Sequence, residues 1–308
     1  MAVSGPASVF RTPGPRWGPG FLVRAERALP APLFRFLLGL GTWVAVLVMD
    51  RRRDYSRAYL TTVLGRPAGW RDTWRHFVTF MDVSLLRLQV AAGRPHRCVL
   101  AADASPEFAA LLRSGEPALF GTFHFGHADL IGFELTGGGR PVAMVRLRAS
   151  DTPDIARATS GFAGLSFIFS NDPAQLLFEL KAALERGQSL ALQCDRLGFS
   201  ARTEAFRFLG ARREFPFTIY HLAVLFGRPV AFCLGVPEAP GVTRVHAAPV
   251  FRPAPGAGRA ENLAAARVHF QAVLSQLETR VRQHPLLWFN FLPLNPEARA
   301  AQPAAPAP

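Results

Sequence analysis

Apolar positions along the chain fall into two regimes. From Leu33 to Met49 the sequence LFRFLLGLGTWVAVLVM is almost continuously apolar, and from 54 to 93 apolar residues recur at three and four positions, with Trp70, Trp74, Phe77, Phe80 and Met81 on one stripe. The first run reads as a hydrophobic helix, the second as helical sequence whose stripe serves packing. After Arg94-Pro95 the pattern changes to short strand-like runs: ALFGTF (118–123), VAMVRL (142–147), LSFIFS (165–170), SLALQCD (189–195) and VAFCLGV (230–236). Helical stretches alternate with them. One starts at Asp172-Pro173, cap and first-turn proline, and stops at Gly187; another runs from Glu261 to about Arg282. Strands alternating with helices predict an α/β fold, with a largely parallel central sheet flanked by helices and an N-terminal hydrophobic anchor helix.

At 308 residues and 49% hydrophobic content the chain is long enough for one large α/β core. The expected organisation is a flexible N-terminus at 1–24, a hydrophobic membrane-anchor helix with its basic flank at 25–53, an α/β domain at 54–295, and a flexible Ala/Pro tail at 296–308. The N-terminal stretch is no signal peptide, because the apolar run begins only after Pro32. Seventeen residues that include Arg35 fall at the lower limit for a spanning helix, so three readings stand: a span, an interfacial anchor, or a buried core helix. In either membrane reading Arg51, Arg52 and Arg53 lie at the cytoplasmic surface beside anionic headgroups.

Charge sharpens the choice of partner. Thirty-five basic residues against 22 acidic ones give +13, and Lys181 is the only lysine. The counterpart is an anion: a phospholipid surface, a phosphorylated sugar lipid, an acidic carrier protein or a nucleic acid. Nucleic acid is set aside, since no zinc-finger spacing, RNP-like aromatic pattern or DNA-binding helix pair is present. Cys98, Cys194 and Cys233 are widely spaced in apolar runs, which reads as core residues of a reducing compartment rather than a disulfide framework or a metal site.

The candidate chemistry lies in PALFGTFHFGHAD, Pro117 to Asp129. A strand-like run delivers His124, and a carboxylate, Asp129, follows five positions later. An aspartate within one turn can bond the far nitrogen of the ring, hold one tautomer and stabilise the imidazolium, so that the imidazole acts as a general base on a hydroxyl. His124 and a second acid, Asp195 beside Arg196, both occupy the carboxyl ends of predicted strands, where sites form in parallel sheets. A GxSxG elbow is absent, so direct transfer from donor to acceptor fits better than an acyl-enzyme. His124, His127 and Asp129 also spell H-x-x-H-x-D, which invites a metal-dependent hydrolase. That site would need His221 or His246 as further ligands, and the dinuclear H-x-H-x-D-H spacing is missing. A non-catalytic membrane scaffold is the remaining alternative.

The stretch GTFHFGHADL resembles the His-x4-Asp/Glu block of the lysophospholipid acyltransferase-like superfamily, and more closely that of the late acyltransferases of bacterial lipid A biosynthesis. Three further regions agree in order: an N-terminal hydrophobic helix before RRRDYSRAYL, Asp195-Arg196 ending a later strand in ALQCDRLGF, and the closing segment HPLLWFNF. The resemblance covers roughly 25 to 295. It implies His124 as general base, Asp129 as the residue that orients and charges it, and Asp195 and Arg196 as substrate-binding or supporting residues. Arg146 and Arg157 would serve as phosphate or oxyanion partners. It further implies an acyl donor carried on acyl carrier protein or CoA, an anionic lipid acceptor, no metal and no bound cofactor, and a bacterial inner-membrane location on the cytoplasmic face. Asp in place of the commoner Glu, and the WFNF ending, depart from the lipid A branch. An ornithine lipid, a glycerophospholipid or a polyene-type lipid is the alternative acceptor.

Overall fold

The computed structural model describes residues 18–146, 164–169, 173–197 and 202–294. Four helices come first: α1 (Gly18–Ala28), α2 (Ala31–Val48), α3 (Asp50–Leu64) and α4 (Trp70–Ala91). The α/β part follows as β1 (Arg97–Leu100), α5 (Pro106–Ser114), β2 (Leu119–Thr122), α6 (Ala128–Gly137), β3 (Val142–Arg146), β4 (Leu165–Phe169), α7 (Pro173–Glu185) and β5 (Ser189–Gln193). The chain then forms the hairpin β6 (Thr203–Phe208) and β7 (Ala211–Pro216), α8 (Thr218–Phe226), β8 (Val230–Ala239), β9 (Val242–Ala247) and α9 (Arg259–Gln283).

Seven strands make one sheet in the order β1-β9-β8-β2-β5-β3-β4. β8, β2, β5, β3 and β4 are mutually parallel; β9 runs antiparallel to β8, and β1 parallel to β9. The mostly parallel sheet flanked by helices matches the expectation. All five strands read from apolar runs are present, because central parallel strands are buried on both faces and need continuous apolar sequence.

β2 sits at the middle of the sheet, with Leu119, Phe120 and Gly121 buried. Gly121 is required there, since a Cβ would enter the ring of Phe232 on β8. Below the sheet Phe123, Phe215, Phe217, Tyr220, Phe232 and Phe270 pack as one aromatic block, each at most 1% exposed. Rings of this kind contribute about 1.5–3 kcal/mol each on burial. Residues of α9 buried at helical spacing, Phe270, Val273, Leu274, Leu277 and Val281, close that layer.

The 54–93 segment is helical, as expected, and divides into two helices because Gly65 turns left-handed (φ 65°), its N–H bonding Thr61 O, and Pro67 cannot continue a helix. Two expectations need correction. Residues 18–24, placed in the flexible terminus, belong to α1, whose Leu22 and Ala25, with Leu29 just beyond its end, pack against Phe34, Leu38 and Leu85. The basic flank is the start of α3: Arg53 pairs with Asp50 at 2.7 Å and lies 5.3 Å over the Trp70 ring, so the division at 53/54 falls inside a helix. Residues 1–17, 295–308 and Asp172 lie outside the described residues.

α2 is long and apolar enough to cross a bilayer, yet it is used on one side by the protein. Phe34, Leu38, Thr42 and Val46, four residues apart, are buried; Phe36, Leu37, Leu40, Val44, Leu47 and Val48 are exposed. The buried stripe faces α4: Trp74 Nε1–H reaches Gly39 O (3.4 Å) and Arg35 pairs with Asp82 at 2.5 Å.

Candidate active site

The site is built where β2 ends. Phe123 and Phe125 are fully buried, so the turn between them is fixed in the core while His124 comes out with its side chain 17% exposed. Gly126 has φ 53°, and a Cβ there would collide with Gly235 O; only glycine closes this turn. Its N–H bonds Leu287 O (2.7 Å), His127 N–H bonds Gly235 O (2.9 Å), and Phe289 N–H bonds His124 O (2.8 Å). The closing segment around Trp288 is thus a strap laid across the turn.

β5 lies beside β2 with Thr122 opposite Gln193, and Cys194 N–H bonds Thr122 O at 2.8 Å. The neighbouring strand end therefore carries Asp195 to His124. Asp195 is 4% exposed and accepts three hydrogen bonds: from His124 Nδ1–H at 2.7 Å and His124 N–H at 2.8 Å, and from the indole N–H of Trp288, itself 1% exposed, at 2.9 Å. Burial alone would raise its carboxyl, but the charge and hydrogen bond of His124, the charge of Arg196 and the Trp288 indole outweigh it and hold the group at about 2. An ionised carboxylate can only accept, so the His124 proton in this bond sits on Nδ1. In the neutral ring this leaves Nε2 with a lone pair, the form a general base needs.

Asp129 was expected at the ring nitrogen. The structure gives that place to Asp195 instead, because Asp129 lies in the first turn of α6 and bonds the Arg87 guanidinium of α4 at 2.7 Å. Burial raises the Asp129 carboxyl, and Arg87, Arg146 and His124 together bring it below its ordinary value, so Asp129 acts on His124 through charge. Asp195 and Arg196 are both at the site. Arg196 lines the cleft, lowered by burial and by Arg52, and supported by Asp195 and Asp129. Arg146 ends β3, 5.6 Å over the Phe167 ring. Arg157 lies outside the described residues.

One face of α4, Phe80, Val83, Ser84 and Arg87, forms the opposite wall of the cleft, and Phe289 of the strap completes it. Behind the strap, His76 is fully buried; its Nε2–H donates to Trp288 O (3.0 Å), and Ser56 O–H donates to its Nδ1 (2.8 Å). Burial lowers His76 to about 4, against the pull of the Trp288 carbonyl. Arg87, His76 and the indole role of Trp288 escaped sequence reasoning. Only the helical spacing of Phe80, Ser84 and Arg87 offered a signal.

The metal reading finds no support in the donor geometry. Among the described residues no three His, Cys, Asp or Glu side chains gather as a ligand set. His127 Nδ1 is engaged with Thr243 Oγ1 at 2.6 Å, and His246 Nδ1 with Asp103 at 2.7 Å. Cys194 and Cys233 are buried, Cys98 is half-buried, and all three are free thiols.

Compared with models of protein families, the chain matches none, and it matches none of the curated proteins.

Proposed function

We propose that this protein is a membrane-associated acyltransferase that moves a fatty acyl chain from a thioester donor to a hydroxyl of an anionic lipid. The observation that carries the reading is the buried Trp288–Asp195–His124 chain, which leaves a bare imidazole nitrogen in a cleft at the carboxyl ends of two adjacent parallel strands. His124 Nε2 takes the proton of the acceptor hydroxyl as that oxygen attacks the thioester carbonyl, and Asp195 stabilises the imidazolium that forms. When the tetrahedral intermediate collapses, the C–S bond breaks and the departing thiolate takes the proton from His124. Arg196, Arg146 and Arg52 supply positive potential for an anionic substrate, and the net charge of +13 favours encounter with acyl carrier protein or CoA. The resemblance of GTFHFGHADL to the lipid A late acyltransferases supports the same chemistry, with a phosphorylated sugar lipid at the cytoplasmic face of a bacterial inner membrane as the first acceptor to try.

The packing of α2 favours a helix lying in one leaflet over a span. Its buried stripe is occupied by α4, which carries Arg71, Arg75, Asp82 and Arg87 and whose other face lines the cleft. Spanning would require α2 to leave α4 and break the Arg35–Asp82 pair. The exposed apolar face, the Trp43–Trp70 stack at 6.1 Å and Arg53 over Trp70 suit the interfacial zone of an anionic leaflet. The test is thioester release by the detergent-purified protein with acyl carrier protein and CoA donors and a lipid extract as acceptor. Lipid-dependent release that His124→Ala abolishes, with one added acyl chain in the mass spectrum, is the expected result. Equal turnover in both proteins, or none in either, overturns the reading.

A further inference from the structure

The cleft holds a second histidine whose proton is fixed by the groups behind it. Thr243, fully buried on β9, has its hydroxyl between two imidazoles, 2.6 Å from His127 Nδ1 and 2.8 Å from His96 Nε2. Burial and the neighbouring His96 push His127 down to about 4, and burial and Arg94 lower His96, so both rings are neutral near pH 7. Each neutral ring then has one N–H to place, and the hydroxyl has one O–H.

Three arrangements are open. If Thr243 O–H pointed at His96 Nε2, the His96 proton would sit on Nδ1, which is buried and has no partner among the described residues; a buried N–H without an acceptor is rare and costly. If both rings donated, the hydroxyl proton would find no acceptor among the described residues. The third runs one way: His96 Nε2–H donates to Thr243 Oγ1, Thr243 O–H donates to His127 Nδ1, and the His127 proton is left on Nε2. Only the lone pair on His96 Nδ1 goes unmatched. His127 and His124 line the same cleft, three residues apart in the Gly126 turn, with opposite tautomers. In its neutral form His124 then keeps a free acceptor nitrogen, and His127, 5% exposed, a free N–H, the pairing that acyl transfer needs.

We propose that His127 is a second catalytic group, whose Nε2–H donates to the thioester carbonyl oxygen as it becomes an oxyanion, with Thr243 and His96 as positioning residues that fix its tautomer. This role rests on the acyltransfer reading. As the acceptor oxygen bonds to the carbonyl carbon, its proton passes to His124 Nε2 and the C=O electron pair moves onto the carbonyl oxygen, where His127 holds it. Collapse restores C=O, expels the thiolate and returns the His124 proton to sulfur. His127 gains and loses no proton in the cycle.

The test pairs a tautomer readout with kinetics on the full chain. Imidazole 15N spectra of the detergent-solubilised protein at pH 7 should show His127 as the Nε2–H form and His124 as the Nδ1–H form, and Thr243→Val should shift the His127 signals toward tautomer averaging. In the thioester assay His127→Phe should lower kcat by roughly 10²–10³ with little change in KM, as removal of an oxyanion donor does. His127→Gln, which keeps an N–H near the Nε2 position, should recover part of that loss, with thermal unfolding confirming that both variants fold. An Nδ1–H signal for His127 in wild type, or a folded His127→Phe variant as fast as wild type, overturns the proposal. A wild type inactive with every donor and acceptor overturns the acyltransfer reading and the oxyanion role with it, whatever the spectra show; an active wild type with an indifferent His127 overturns the His127 role alone.

Discussion

Asp195→Asn separates the two carboxylates that compete for His124. The amide has one accepting oxygen where the carboxylate has two. If that oxygen keeps the pair of donors now on Oδ2, His124 N–H at 2.8 Å and Trp288 Nε1–H at 2.9 Å, the NH2 group faces His124 Nδ1. The ring must then accept there and carry its proton on Nε2, which removes the base. The charge is lost as well: an imidazolium and a carboxylate about 4 Å apart at an effective dielectric of ~20 attract by about 4 kcal/mol. At ~1.4 kcal/mol per tenfold, that corresponds to roughly a 10³-fold fall in kcat. Stability should change less, by about 1–3 kcal/mol, the usual cost of mismatching buried hydrogen-bond partners. The assay is lipid-dependent thioester release beside urea unfolding, with Asp129→Asn run in parallel. Among the described residues Asp129 is hydrogen-bonded to Arg87, with its side chain 38% exposed, so its amide should cost at least tenfold less activity than the Asp195 amide. The reverse order, or an Asp195→Asn variant within a few-fold of wild type, would refute the assignment of Asp195 as the partner of His124.

Three more outcomes follow from the geometry. His76 and His127, both held at about 4 by burial against an unfolded value near 6.5, bind fewer protons folded than unfolded; their stability contribution is complete above pH 6.5 and is lost as pH falls from 6.5 toward 4, by up to about 3 kcal/mol each. Urea midpoints should drop across that window and drop less in His76→Gln; a flat profile would contradict the buried neutral rings. Trp288→Phe keeps an aromatic ring in edge-to-face contact with Tyr59 and Phe208 but removes the indole N–H from Asp195, so kcat should fall roughly tenfold with about 1 kcal/mol of stability lost; unchanged turnover would show that the indole does not hold the carboxylate. Leu40→Glu with Val44→Glu, on the exposed face of α2, should abolish sedimentation with anionic vesicles without shifting the melting temperature, and vesicle binding that survives would remove that face from the membrane contact.

What the sequence showed, it showed through burial. β2, β5 and β8 are central strands, and their need for apolar residues on both faces marks them plainly. β1 (RCVL), β6 (TEAFRF), β7 (ARREFP) and β9 (VTRVHA) were missed, because charged residues interrupt strands at a sheet edge, in the strand next to it, or in a two-stranded hairpin. His124 and Asp195 were each recognised at a strand end, but strand neighbours are not written in either segment. The pairing of β2 with β5 joins residues 71 apart, whereas Asp129 was near in sequence and took the role on proximity alone. Ser56–His76 and Trp288–Asp195 are long-range in the same way.

The strap also sets an order in time. Translation delivers α2 and its apolar face first, then His124, then Asp195, and the indole, Leu287 carbonyl and Phe289 amide that lock them only after α9 is complete. A nascent chain that has paired β2 with β5 but lacks the strap still has an open, unlocked turn at His124. A chain stopped within α9 lacks the strap and also the α9 residues that close the aromatic layer, so the finished core and the locked His124–Asp195 pair arrive together at the end of the fold.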